Sequence, residues 1–273
     1  MLSKKYRAAA CLLCALTAAT VFAGRPDIQQ IIQKSVATNQ ADFKAATDFN
    51  WTETDRTAKG SKTSRVTMIE GTPYYRLIAL NGKPLSEAQS AQEEKKRQQV
   101  TAQRRAETPE QRQARVDKFE KERKRDNAMM DQLTQAFRFT MIGQRRVRGY
   151  SVYVLKAAPR PGYKPPSMET QVLTGMQGEL WIDKTSFHWV KVTAQVIHPV
   201  SIEGFLAEVE PGTRFELENR PVGNGGVWEA SHFSMRSNAK VFHLFTRESN
   251  DDENYFDYQP VSASADKSLR SSR

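Results

Sequence analysis

Between Arg138 and Tyr258 the chain is a run of short alternating segments cut by turn residues, and this run restricts the available folds more than any other feature. Phe139–Ile142 and Tyr150–Leu155 flank Gly143 and Gly149, and Glu179–Ile182 meets a turn at Asp183-Lys184 before Trp189–Ile197. Phe215–Leu217, Trp228–Met235 and Val241–Thr246 follow, separated by Pro211-Gly212, Gly223-Asn224-Gly225-Gly226 and Asn238. Serial short strands with tight turns dictate an antiparallel meander, because parallel neighbours need long crossover connections. From His188 to Val196 the positions His188, Val190, Val192, Ala194 and Val196 alternate with Lys191, Thr193 and Gln195, which predicts two distinct faces. Val241–Phe245 is apolar on both faces and is expected to lie centrally under a cover. The proline-rich stretch Pro159–Pro166 does not fit a central strand and has the length of a flap.

Upstream, the apolar positions Ile28, Ile31, Ile32, Val36 and Phe43 recur at spacings near three and four. This places them on one stripe of a helix from Asp27 to about Thr47, with Pro26 suited to its start. The period then shortens: Trp51 with its threonine-rich surroundings, Val66 with Met68, and Tyr74–Leu80 read as three strands, closed by the turn signal Asn81-Gly82. From Ser86 to Asp126, Lys, Arg, Glu and Gln dominate. Ser86 with Gln89, and Thr108 with Gln111, each fit a capping box, and Pro109 takes the first helical position, where its missing N–H costs nothing. A charged helical hairpin or bent helix, broken near Glu107, is therefore predicted. Its returning arm gathers Val116, Phe119, Met130, Leu133 and Phe137 on one face, so its base should dock while its tip stands in solvent. Interspersed charges of both signs are those of a solvated helix, each pair adding roughly 0.2–0.5 kcal/mol; the sharper alternative is a handle for an acidic surface or partner.

The amino-terminal segment sets where such a fold works. Lys4, Lys5 and Arg7 precede an apolar run from Ala8 to Phe22, and Val21-Phe22-Ala23 fits a cleavage site, so residues 1–23 read as a signal peptide and Gly24 as the first exported residue. The run falls short of the roughly 20 residues that span a bilayer. The product is expected in the periplasm or outside the cell, soluble after cleavage. Cys11 and Cys14 both lie in the signal, and neither sits in a lipoprotein box, so the exported chain has no thiol and no disulfide. Loss of Lys4, Lys5 and Arg7 lowers the net charge from +10 to +7. That balance suits anionic headgroups or envelope polyanions, and no nucleic acid partner is expected.

Catalysis needs a constellation, and none is visible. His188, His198, His232 and His243 are scattered outside any His-x-x-x-His pair, and no Gly-x-Ser-x-Gly elbow occurs. No catalytic residue, no metal and no cofactor is expected. Asp251, Asp252, Glu253 and Asp257 lack the ligand spacing of a calcium loop and read as a solvated turn. The Gly223–Gly226 run joins two strands and reads as a hairpin, not a phosphate cradle. Large side chains remain. Trp51, Tyr75, Leu77, Trp181, Trp189, Phe233, Phe242 and Phe245 are the candidates for lining a partly filled concave face that shelters a hydrocarbon chain, although such residues ordinarily serve as core.

Four segments carry a family likeness. Gly149-Tyr150-Ser151-Val152-Tyr153-Val154-Leu155, Gly178-Glu179-Leu180-Trp181-Ile182-Asp183, Phe215-Glu216-Leu217-Glu218 and Val227-Trp228-Glu229 resemble successive strands of LolA-like periplasmic lipoprotein carriers and of their LolB-like and RseB-like relatives. The resemblance implies an α+β fold in which helices cover a curved antiparallel sheet, an unclosed β-barrel, and plug a hydrophobic cavity. On that reading residues 24–260 form a single half-barrel domain. Residues 84–136 are a charged helical insertion foreign to the compact carriers, and residues 261–273 a disordered tail. Arg65 and Arg76 are the candidates for the arginine that holds the lid in the carriers. Trp228 is followed by Glu229-Ala230 where a Leu-Pro pair is more usual. The expected function is binding or carrying a lipid or acylated protein without catalysis, with an anionic membrane surface as a further contact. The alternative is an RseB-like interaction or sensor module whose charged hairpin binds a protein or anionic surface. Burial of one CH2 is worth roughly 0.8 kcal/mol and one basic residue at an anionic surface about 1 kcal/mol before screening, so an acyl groove would dominate affinity.

Overall fold

The computed structural model describes residues 27–261, apart from 203–206 and 242–244. The expected signal peptide and all but the first residue of the expected tail lie outside these residues. Helix α1 (Ile28–Ala45) is capped by Asp27, whose carboxylate accepts from the N–H groups of Gln29 and Gln30. Strands β1 (Phe49–Thr57), β2 (Gly60–Ile69) and β3 (Thr72–Leu80) follow, and the chain turns into β4 (Lys83–Pro84). Asn81 and Gly82 make that turn at φ 50° and 74°, the left-handed pair that a tight hairpin requires and that few other residues tolerate.

Helices α2 (Glu87–Arg105) and α3 (Pro109–Asp126) carry both predicted capping boxes, with the break at residues 106–108. Helix α4 (Ala128–Ala136) continues beyond Asn127, and Phe137 leaves it to open a strand. Contrary to expectation, the hairpin tip is docked. Arg104 donates to the carbonyls of Ile69 (3.0 Å), Thr72 (2.8 Å) and Pro73 (3.2 Å), and Arg115 reaches Thr72 Oγ1 at 2.6 Å while pairing with Glu107. A guanidinium supplies several donors at once, and Arg104 uses them to bridge three carbonyls beside the β2–β3 turn. At the base, Arg123 donates to the Phe43 carbonyl and lies 4.2 Å from the Phe43 ring centroid.

The remaining strands are β5 (Phe137–Val147), β6 (Tyr150–Pro159), β7 (Met176–Asp183), β8 (Trp189–Val196), β9 (Val200–Ile202), β10 (Ala207–Val209), β11 (Arg214–Val222), β12 (Val227–Val241) and β13 (Phe245–Pro260). They complete one antiparallel 13-stranded sheet in the order β4-β3-β2-β1-β13-β12-β11-β8-β7-β6-β5, with β10 and β9 branching from β12. The sheet does not close; β5 and β4 are its edges. Its first long strand pairs with its last, Thr52 facing Phe256 and Asp55 facing Glu253.

Four details depart from the sequence reading. Val241 ends β12 and pairs with Phe245 at the start of β13, so the two ends of the doubly apolar run belong to different strands, and its residues 242–244 lie outside the described residues. Asp251, Asp252, Glu253 and Asp257 lie within β13, not in a turn. The register shifts near Val190: Ile182 pairs with Trp189 and Leu180 with Val192, so Val190 leaves the alternation. The proline-rich stretch is tied down, because Arg160 donates to the carbonyls of Thr134, Gln135 and Phe137, and Tyr163 donates to Gln132.

The two faces of the sheet differ. On one, which we term the α1 face, Ile31 and Ile32 of α1 pack on Leu155, Leu180, Ile182 and Trp189. Beside them Ala157, Met176 and Val196 pack under Leu133 of α4 and Leu173 of a 3-10 turn (Gln171–Gly175). On the far face Val152, Val154 and Val190 meet Trp228. Flat pairing would hold β6 and β12 roughly 19 Å apart, at about 4.8 Å per strand. The ring centroids of Tyr150 and Trp228 are nevertheless 4.8 Å apart, and Arg148 hydrogen-bonds Glu218, so this end of the sheet curls toward the far face.

Candidate functional site

The family-like segment Gly178–Asp183 resolves into structural roles. A Cβ on Gly178 would fall against the Thr193 carbonyl, so only glycine allows β7 and β8 to pair here. Leu180 and Ile182 are buried beneath α1, and Asp183 accepts from Thr185 N (3.0 Å), Ser186 N (2.8 Å) and Ser186 Oγ (2.9 Å) to fix the β7–β8 turn. Trp181 points to the far face, where its indole N–H donates to Glu179 at 3.0 Å and Arg145 stands over its ring.

Three polar features stand out. The first is a trough of about 1360 Å3 across β6, β7, β8, β11, β12 and β13, overhung by the β1–β2 turn. Lys156, Gln177, Glu179, Thr193, Gln195 and Glu216 alternate along their strands so as to stand on the far face, and they line it with Ile142 and Ser234. Its walls carry charges of both signs and amides.

The second lies on the α1 face of the other half of the sheet, which no described helix covers. The registers Trp51↔Val66↔Tyr75 and Ser64↔Glu53↔Tyr255 put Trp51, Glu53, Tyr75 and Tyr255 side by side. Trp51 meets Tyr75 edge-on at 6.5 Å and stacks on Tyr258 at 6.4 Å; its indole donates to Glu53 at 3.0 Å, and Tyr255 donates to Glu253. Burial pushes the Glu53 carboxyl up, the indole hydrogen bond opposes this, and Glu253 and Asp55 raise it further. The same burial and the carboxylates of Glu53 and Glu253 push Tyr75 up to about 12.

The third is buried at the carboxyl-terminal end of α1. Asp42 accepts from the Trp228 N–H at 3.2 Å and stands 3.4 Å from His188 Nε2, while the His188 ring stacks on Trp228 at 5.0 Å. Asp42 Oδ2, His188 Nδ1 and Glu229 Oε1 are buried without hydrogen-bond partners. Burial and the nearby Asp42 push Glu229 up to about 8, against the lowering pull of Arg123. The Glu229-Ala230 pair that departs from the family pattern thus places an acid in the interior.

No family model matches the chain, and no curated protein matches it in sequence. Solved structures do. A LolA superfamily protein from Nitrosomonas europaea matches at 11% identity and TM-score 0.32, covering 86% of this chain and 93% of that one. A domain named for outer membrane lipoprotein sorting, from Vibrio parahaemolyticus, matches at 12% identity and TM-score 0.34, covering 85% and 94%. The Pseudomonas aeruginosa MucA/MucB complex matches at 12% identity and TM-score 0.25, covering 84% and 99%. The first of these neighbours is named for the LolA superfamily. It is the family that the strand motifs resemble; at these scores the fold assignment rests on the open sheet and its helices.

The structure scatters the candidate lining residues. Trp51 and Tyr75 come together, and Leu77 shares their face through its pairing with Ser64. Trp189 is packed under α1, Trp181 stands on the far face, and Phe233 lies 6.4 Å from Phe215. Phe242 lies outside the described residues, and Phe245 is described only as the start of β13. None of the six whose side chains are described lines the trough. Arg65 stands 4.0 Å from Asp257, and Arg76 3.5 Å from Glu94, where it pins α2 to β3.

Ligand-bearing atoms of Glu216, Glu218 and His232 lie within 4.8 Å of one another. The Lys191 ammonium already sits there, 2.6 Å from Glu216 and 3.6 Å from Glu218, so a cation is in place and the set does not fit a metal. No described helix is long and apolar enough to cross a membrane. The trough residues and Glu53 carried no sequence signal as site residues, because strand alternation marks a polar face without saying whether that face is walled.

Proposed function

We propose that this chain is an exported, non-catalytic binding protein that holds an extended polar segment of a partner protein in the far-face trough. The lining of the trough carries this reading. Its volume, about 1360 Å3, exceeds the roughly 300–1,000 Å3 of small-ligand pockets. A hydrocarbon chain there would desolvate Lys156, Glu179 and Glu216 and return no hydrogen bonds, whereas a peptide replaces water with its own amides and charges. Much of the sheet's apolar surface is already used under α1, α4 and the 3-10 turn. Export rests on residues 1–23. Fluorescence anisotropy with extended mixed-charge peptides tests the reading: binding should weaken at least about tenfold in Thr193→Trp, which fills the trough. Absence of binding, or indifference to the filled trough, overturns it.

The lipid reading keeps one favourable observation. A cavity of about 410 Å3 opens between α1 and β5, lined by Ile28, Ile32, Phe137 and Phe139 and equally by Gln29, Gln33, Thr134 and Arg160. An acyl chain would enter under α1. Native mass spectrometry for co-purifying lipid, with uptake of a fluorescent fatty acid blocked by Ile32→Trp, tests this second reading.

A further inference from the structure

We infer that the surface built on Trp51, Glu53, Tyr75 and Glu253 is a separate recognition site for an extended peptide bearing arginine or lysine at alternate positions. It lies on the α1 face, away from the trough, and does not depend on that reading. Tyr75 is 51% exposed, in a region that no described helix covers. The rings of Trp51, Tyr75 and Tyr258 form an edge-and-stack arrangement; Arg220 already stands 6.0 Å from the Tyr258 centroid, and the rings of Trp51 and Tyr75 are left to attract a further cation. Three carboxylates stand beside them. Among the described residues none of Glu53, Asp55 and Glu253 forms an ion pair, and Lys62, opposite Asp55 in the register, makes none either.

Elsewhere on this sheet Glu216, Glu218 and Asp252 find lysine, arginine or histidine partners, while three neighbouring acids here share none. Glu53 has the Trp51 indole as its hydrogen-bond donor, and burial first, then repulsion from Glu253 and Asp55, opposes its ionisation. A cation seated between the ring of Trp51 and these carboxylates removes that repulsion. The spacing selects an extended partner. Trp51, Glu53 and Asp55 are alternate residues of β1, roughly 6.8 Å apart, and same-face side chains of an extended peptide repeat at the same distance. Charge complementarity therefore names the occupant as a basic strand-like segment. Arginine suits it better than lysine, because a planar guanidinium both stacks on a ring and hydrogen-bonds a carboxylate.

The test is calorimetric titration of the full exported chain with a decapeptide of alternating arginine and threonine, against a decapeptide of alternating glutamate and threonine. The arginine peptide should bind and the glutamate peptide should not. The double variant Glu53→Gln, Glu253→Gln should weaken binding by about tenfold or more, and Tyr75→Leu by about fivefold, with unchanged melting temperatures. Glu122→Gln, an exposed acid on α3, should leave the affinity as it was. Equal affinity in the double variant, or equal loss in Glu122→Gln, would mean diffuse attraction and overturn the site. Residues 262–273 contain Lys267, Arg270 and Arg273. If the peptide binds only after their deletion, the occupant is the chain's own segment and the assignment to a partner falls.

Discussion

Glu229 shows how far one buried position sets a property of the whole protein. Its carboxyl is held up at about 8 by burial and by Asp42, against Arg123, so it carries a proton at neutral pH. Because its folded value lies above the ordinary 4.5, the native state binds more protons between those two values, and stability falls as pH rises through that window. Thermal melts followed by circular dichroism should show the wild type losing stability from pH 5 to 8.5. Glu229→Gln should remove most of that slope and melt about 5 °C higher at pH 8.5. Gly178 is the steric counterpart. Gly178→Ala drives a methyl group into the Thr193 carbonyl and should cost about 1–3 kcal/mol in urea unfolding. The sequence marks both places, one as part of a glycine-led motif and the other as a departure from a pattern. It is silent on the burial of Glu229, because α1 and β12, which enclose that acid, are brought together only by the fold.

Helix ends and hairpin turns are the elements most legible in advance, since their causes are local. Ser86, Thr108 and Pro109 announce helix starts, and Asn81-Gly82 announces a hairpin, through atoms within a few residues. The docked tip is different. Arg104 reaches carbonyls more than thirty residues away, and such a contact has no period and no motif. Arg104→Ala removes the donor that those three carbonyls share, at a cost of about 1–3 kcal/mol. It should also free the 106–108 connection, so limited proteolysis should cut there faster while the sheet's circular dichroism is kept. Helix α1 is held differently, by Ile31 and Ile32 on the sheet. Ile32→Ala should lower stability by about 2–5 kcal/mol, read as a lower urea midpoint.

At the scale of the molecule, one ring sits at the centre of the curl. Trp228 touches Tyr150 on β6, stacks on His188 and sits on the Asp42 end of α1, so it joins parts of the sheet that flat pairing would leave far apart. Trp228→Ala should cost about 3–5 kcal/mol, and hydrogen exchange should speed up in β6 and β12 together, not in β12 alone. The β1–β13 pairing also fixes a timetable. Thr52 and Phe256 are neighbours in the finished sheet, yet a ribosome makes them roughly 10–40 s apart at ordinary rates of synthesis. Throughout that interval β1 has no partner along one side, and the sheet cannot be completed until its final strand arrives.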